Sequence, residues 1–188
     1  MIILGIDPGS RITGFGLVQK SGNRHSHIEN GAIFLDDRLD FSAKLKELND
    51  RITKLIKAHQ PDVLVVENIF FHKNPKSTQK LGEVRGAVIL TAALNELPLF
   101  EYTPLEVKKA ITGYGRATKD QIQYMICKLL NLKDRAEENA SDALAIALCH
   151  AQNLGGTART AATPNTLTPA QSLLRQASYF RSPKAKRN

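Results

Sequence analysis

Ile2-Ile3-Leu4-Gly5-Ile6-Asp7-Pro8-Gly9, followed after three residues by Thr13-Gly14-Phe15-Gly16-Leu17-Val18, is the stretch that decides the fold. The first run is continuously apolar and reads as a strand. Asp7-Pro8-Gly9 then offers Pro and Gly for the two centres of a type II turn, so Asp7 should project from the carboxyl end of that strand, where ligands bind in open α/β sheets. The second run resumes a strand with Gly14 and Gly16 on one face. A third strand is predicted over His25 to Phe34. Leu45, Leu48, Ile52, Leu55 and Ile56 then recur at helical spacing, giving a helix from Phe41 to His59 that stops before Pro61. Val63 to Val66 is apolar on both faces, as in a strand covered by helices on either side. A helix over Ser77 to Asn95, a strand over Leu99 to Tyr102, and helices over Pro104 to Ile111, Lys119 to Leu130 and Ala140 to Asn153 complete the plan. Three strands followed by alternating strands and helices make an α/β fold with a mixed, five-stranded sheet flanked by helices.

The 188 residues suffice for one ordinary core, not two. Residues 1–153 are the expected folded domain, and 154–188 the expected tail. The formal charge of +8 is unevenly distributed: six of the 26 basic residues and none of the 18 acidic ones lie from Leu154 onward, leaving 20 against 18 in the body. The tail therefore makes the chain basic and can add non-specific, salt-sensitive affinity for phosphate. It is rich in Thr, Ala and Pro and poor in bulky apolar residues, so it is expected to be disordered, with at most a short helix near Pro169 to Ala177. Cys127 and Cys149 fall within apolar helical patterns and read as reduced, buried thiols. The N-terminus has no basic leader or cleavage site, and no apolar stretch approaches the ~18 residues of a membrane span. The expectation is a soluble, cytoplasmic protein with no membrane partner.

Three acids stand at the ends of buried elements: Asp7, Glu67 after Val63-Leu64-Val65-Val66, and Asp142 before Ala143-Leu144-Ala145-Ile146. Each alone has an ordinary reading: a turn Asp, a strand-end Glu emerging into water, and a first-turn helix acid favoured by the macrodipole. Together they point to a metal site, because carboxylates at the edge of a dry core repel one another and a divalent cation holds them. Clustered carboxylates with Mg2+ suit phosphodiester hydrolysis, in which two cations about 4 Å apart activate a water and stabilise the leaving 3′-oxygen.

With these residues in place the chain resembles the RuvC-type Holliday junction resolvases, bacterial endonucleases with an RNase H-like fold. The resemblance rests on Gly5-Ile6-Asp7-Pro8-Gly9 with Thr13-Gly14-Phe15-Gly16, Glu67-Asn68-Ile69-Phe70-Phe71, Lys80-Leu81-Gly82-Glu83-Val84-Arg85-Gly86-Ala87 and Ser141-Asp142-Ala143-Leu144-Ala145, across residues 1 to about 152. It implies that Asp7, Glu67 and Asp142 are the catalytic, metal-binding acids, holding two Mg2+ ions for which Mn2+ can substitute. Family members carry a fourth ligand, Asp or His, three residues before the last acid. Here that position is Asn139, which either ligates weakly through its amide or caps the last helix with Asp142 at N3; capping is the preferred reading. Glu137 and Glu138 lie beside it and could supply the missing carboxylate.

Phe70 matches the family's base-stacking position, and with Phe71, His72, Lys73 and Lys76 it suits a surface that stacks on a base while cations hold phosphates. Lys108 and Lys119 match basic residues near the family's active site. Lys119 should open a helix after Thr118, with Gln121 at capping-box spacing. Arg116 is a weaker DNA-binding candidate. Gly82 and Gly86, four apart, leave a smooth helix face for packing on the sheet or on a second copy; the family is homodimeric through this region and works with the branch-migration proteins RuvA and RuvB. The implied function is symmetric nicking of four-way junction DNA in recombination and repair. The alternative is a junction-binding protein whose catalysis is impaired by Asn139.

Overall fold

The continuously apolar β1 (Ile2–Asp7) lies in the middle of a mixed sheet, hydrogen-bonded antiparallel to β2 (Ile12–Ser21) on one side and parallel to β4 (Val63–Glu67) on the other. The computed structural model describes residues 1–68, 75–154 and 159–162, with 75, 76 and 159–162 as backbone alone. β3 (Arg24–Phe34) extends the sheet beyond β2, and β5 (Leu99–Tyr102) pairs parallel with β4. Helix α1 (Phe41–His59) links β3 to β4, α2 (Pro75–Leu94) links β4 to β5, and α3 (Pro104–Thr112), α4 (Lys119–Leu130) and α5 (Glu138–Asn153) follow. The five expected strands are all present. A sixth, β6 (Arg159–Ala162), adds antiparallel to the edge of β5, giving the order β3-β2-β1-β4-β5-β6. The expectation of a tail without fixed structure is corrected for those four residues: β5 otherwise offers an open row of backbone donors and acceptors, which a strand satisfies. The predicted helix at 169–177 lies outside the described residues.

Alternation along the strands divides the core in two. Leu4, Ile6, Leu64 and Val66 face Leu48, Ile52 and Ile56 of α1 and Val84 and Val88 of α2. Ile3, Val63 and Val65 face the opposite layer, with Val107, Ile111, Ile122, Ile126 and most of α5. Asp7 and Glu67 continue the second set, so both carboxylates emerge on the α3–α5 side of the sheet.

On that side α5 is held unusually close. It is apolar nearly all round, as a fully buried helix must be, and glycines on β1 and β2 let its backbone touch the sheet. A Cβ on Gly5 would lie 2.2 Å from the Ala143 carbonyl oxygen, and one on Gly14, the residue paired with Asp7, would lie 1.9 Å from the Asn139 carbonyl oxygen.

The turn after Asp7 differs from its expected form. A type II turn needs a positive φ at its third residue, and Gly9 lies outside that region. The Thr13 hydroxyl closes the loop instead, donating to the Gly9 carbonyl at 3.1 Å and accepting from the Gly9 N–H at 3.3 Å. Gly9 is required for space, since its Cβ would fall 2.0 Å from the Ile12 carbonyl oxygen. Gly82 and Gly86 do not pack on the sheet either: an added Cβ at either one would meet nothing within 4 Å.

Candidate active site

Asp7 ends β1 and Glu67 ends the adjacent, parallel β4, so their side chains leave the same edge of the sheet on the same face. Asp142 is delivered by α5. Every residue from Ala140 to Ala151 in that helix is buried except Asp142, which is half-buried and turned toward the strand ends. The close approach over Gly5 and Gly14 therefore sets how near Asp142 comes to the other two acids.

The electrostatics report that convergence. Burial, then the Asp142 and Glu67 carboxylates, push Asp7 up to about 7, against the pull of Lys119. Burial and Asp142 likewise push Glu67 up to about 7, opposed by Lys108 and Lys119. Asp142 is raised as well, chiefly by burial, with Lys119 opposing. These are the shifts expected of carboxylates held together largely out of water, of which Asp142 alone has a cation, Lys119, within 4 Å among the described residues. No hydrogen bond or ion pair reaches the Asp7 or Glu67 carboxylate among the described residues. Nor are any three His, Cys, Asp or Glu side chains there gathered tightly enough to enclose an ion by themselves. Carboxylates of this kind could hold a hard divalent cation only with water and substrate phosphate completing its shell.

Lys119 is placed as its neighbours predict. Thr118 caps α4, its hydroxyl accepting from the Gln121 N–H while the Gln121 side chain accepts from the Thr118 N–H. The Lys119 ammonium is ion-paired with Glu138 and stands 3.5 Å from Asp142 Oδ2. Lys108 on α3 lies near enough to bias both Glu67 and Asp142. Arg116 is exposed in the loop between α3 and α4, with no ion pair among the described residues. Phe70, with Phe71, His72 and Lys73, lies outside the described residues, as does the Lys76 side chain.

Asn139 does not cap the last helix. The N-cap is Glu137, whose carbonyl accepts from the Ser141 N–H at 2.8 Å and whose side chain makes no cap hydrogen bond. Asn139 is already helical, and its amide donates to Glu137 Oε1 at 2.8 Å. Asp142 is accordingly one turn inside the helix rather than at N3. The helix starts earlier than expected because the Asn139 backbone rests on Gly14, which fixes it in helical conformation. Of the two neighbouring acids, Glu138 feels the cluster: its charge raises both Asp7 and Asp142. Its pairing with Lys119 spans 19 residues and had no signal in the sequence.

A family profile described as Crossover junction endodeoxyribonuclease RuvC matches residues 3–150. A curated protein of that description from Geotalea uraniireducens is 53% identical over 153 residues, covering 81% of this chain and 90% of the relative. One from Geobacter sulfurreducens is 46% identical over 153 residues, covering 81% and 93%. Among solved structures, Thermus thermophilus RuvC in complex with Holliday junction substrate superimposes with a TM-score of 0.81 at 29% identity, covering 85% of this chain and 99% of that one. The yeast mitochondrial Holliday junction resolvase Ydc2, at 12% identity and a TM-score of 0.59, shares the fold alone. The α/β, RNase H-like fold expected from the sequence is the fold of this chain.

Proposed function

Because the chain belongs to the RuvC family of crossover junction endodeoxyribonucleases, a family of metal-dependent nucleases, we propose that it resolves Holliday junctions by paired, symmetric nicks using Mg2+ held at Asp7, Glu67 and Asp142. The observation that carries this reading is the convergence of three carboxylates, two of them raised to about 7, at one sheet edge. Two Mg2+ ions per site, replaceable by Mn2+, would supply an activated water and neutralise the charge that develops during in-line displacement.

The chain's own groups do the rest. Asp7 and Glu67, fixed on adjacent parallel strands, and Asp142, fixed by the docking of α5, define where the scissile phosphodiester lies. Lys119 and Lys108 offset negative charge on that phosphate as the P–O bond to the 3′-oxygen breaks, leaving a 5′-phosphate and a 3′-hydroxyl that can be ligated. Phe70 is assigned to stack on a base near the crossover, and Arg116 to contact the backbone.

A homodimer places two such sites on a two-fold junction. In its favour, α2 presents Gly82 and Gly86 to open space, with Leu90 57% and Leu94 67% exposed on the same helix. RuvA and RuvB are the assigned motor partners. Residues 1–153 form the nuclease domain, with 154–188 a basic extension, and the enzyme works in the cytoplasm. Among the described residues no helix is long and apolar enough to cross a membrane.

The test is a Mg2+-dependent nicking assay on a synthetic four-way junction. Paired nicks at symmetric positions, lost in Asp7→Asn, support the reading. Tight junction binding with no product at any Mg2+ concentration would replace it with a junction-binding protein impaired by Asn139.

A further inference from the structure

On the other side of the sheet from Lys108 and Lys119, beside the loop that follows Asp7, a cleft of about 330 Å³ is lined by Ser10, Arg11, Asp37, Phe41, Lys44 and Lys80. Three cations from three separate elements meet there, and a single carboxylate serves two of them. Asp37 takes Arg11 at 2.6 Å through one oxygen and Lys44 at 2.8 Å through the other. Lys80, from α2, lies 5.9 Å over the Phe41 ring. The nearby acids offset most but not all of this charge: Asp36 is engaged by Arg38 at 2.6 Å and also feels Lys44, and Asp40 caps α1 through the Ala43 N–H, so the cations Arg11, Arg38, Lys44 and Lys80 outnumber Asp36, Asp37 and Asp40 by one. The Lys44 side chain is only 12% exposed, so its charge is held in place rather than swept through solvent. Excess positive charge in a concave, partly desolvated site is a receptor for an anion.

Its position selects the anion. Arg11 is four residues from Asp7, so the two Cα atoms are at most ~14 Å apart even if the loop were fully extended. At a rise of ~3.4 Å per nucleotide, the cleft lies within about four nucleotides of a phosphate held at Asp7. We propose that Arg11, Lys44 and Lys80 form a second phosphate-binding notch that holds the backbone of the cut strand a few nucleotides from the scissile bond. Asp37 acts as a built-in competitor that the phosphate must displace. The trio of acids is then flanked by cations on both faces of the sheet, which fixes the strand on either side of the cut. This inference rests on the nuclease reading above only for the identity of the strand.

The experiment is fluorescence anisotropy of the full chain with a labelled four-way junction and a labelled duplex, without divalent cation, at 50 to 200 mM salt. Each phosphate contact contributes a slope of about 0.9 in log K against log salt, so Arg11→Gln with Lys80→Gln, which empties the notch, should flatten the slope by about 0.9. The wild-type advantage over that double variant then shrinks about three- to fourfold across the series. Asp37→Asn frees two cations and should bind both DNAs several-fold more tightly, a gain absent when Arg11→Gln and Lys44→Gln are also present. A slope unchanged in the double variant overturns the proposal, as does Asp37→Asn binding no better than wild type while unfolding at the same temperature. Equal wild-type affinity for junction and duplex would instead count against the junction reading, and leaves the slope comparison decisive for the notch.

Discussion

The Lys119 ammonium stands 3.5 Å from Asp142 Oδ2 while it is ion-paired with Glu138, so one cation ties the candidate acids to the first residue of the helix that carries Asp142. Before substrate arrives it partly neutralises the trio; with substrate bound it faces the phosphate. Lys119→Met should therefore act in two opposite directions. Divalent cation binding to the protein alone should tighten, because a competing charge is gone, while nicking should slow by about 100-fold through loss of charge stabilisation. The Glu138 pair is exposed and weak, so Glu138→Gln should slow nicking only about two- to threefold. That effect should vanish in the Lys119→Met background. Calorimetry with Mn2+ alongside single-turnover nicking separates these outcomes, and weaker metal binding in Lys119→Met would show that the lysine does not oppose the cation.

Gly14 tests whether the docking of α5 sets the site. A methyl group there meets the Asn139 carbonyl, a backbone atom that moves only if the helix moves. Gly14→Ala should cost ~1–3 kcal/mol in urea unfolding, as over-packing does. Because Asp142 rides on the same helix, nicking at permissive temperature should fall further, by up to about 100-fold for a shift near 1 Å. A variant that loses stability but cuts at the wild-type rate would place Asp142 outside the chemistry.

Asp7, Glu67 and the alternation behind them were legible in the sequence because strand periodicity and apolar runs act over a few residues. The capping box at Thr118 and Gln121 was legible for the same reason. The start of α5 was not, because local preference made Asn139 a good cap, while the contact that overrides it comes from Gly14 more than a hundred residues away. The turn at Gly9 was misjudged by the same logic: Pro-Gly suits a type II turn, but the Thr13 hydroxyl four residues on closes the loop differently. The pairing of Lys119 with Glu138 and the gathering of Arg11, Lys44 and Lys80 depend wholly on topology. The strand at 159–162 belongs to this class too, since nothing in Arg-Thr-Ala-Ala announces that β5 has a free edge.

His150 gives the fold an acid limit. It is fully buried against the Phe100 ring, with centroids 4.4 Å apart, its Nδ1 paired with the Tyr102 hydroxyl at 2.9 Å and its Nε2 without a partner among the described residues. Burial pushes it down to about 4. A depressed pKa means that the unfolded chain binds the proton more readily, so stability present above pH 6.5 is lost as pH falls toward 4. The loss should be roughly 2 kcal/mol by pH 5. Urea unfolding of His150→Gln across that window should show a slope shallower by about one proton; an unchanged slope would mean that His150 carries its charge inside the fold.

Asp7 contributes the opposite slope. Raised to about 7, its carboxyl binds a proton more tightly in the folded state than in the unfolded one, so its part in stability is favourable below pH 4 and is lost as pH rises through 7. In metal-free protein Asp7→Asn should therefore be stabilising at pH 8, by on the order of 4 kcal/mol, with the difference closing toward pH 4. Mg2+ should raise the unfolding temperature of the wild type at pH 8 and leave that of Asp7→Asn nearly unchanged. Thermal unfolding with and without Mg2+ at the two pH values checks both signs. Equal Mg2+ responses in the two proteins would remove Asp7 from the metal site.

Asn139 stands where the sequence resemblance implies an acidic or histidine ligand, and its amide is committed to Glu137 Oε1 at 2.8 Å. Asn139→Asp replaces that donor with a second carboxylate beside Glu137, so metal-free protein should lose about 0.5–1 kcal/mol to like-charge repulsion. The same charge lies one helical turn before Asp142, on the helix face that rests on Gly14 opposite Asp7. More ligand charge tightens hard-cation binding, so half-saturating Mg2+ for nicking should fall severalfold, with the maximal rate unchanged or higher. The loss in stability should reverse once Mg2+ is added. A Mg2+ titration of nicking and of unfolding temperature for the two proteins decides the matter: coincident curves would put residue 139 outside the metal site, and with it the idea that an amide there impairs catalysis.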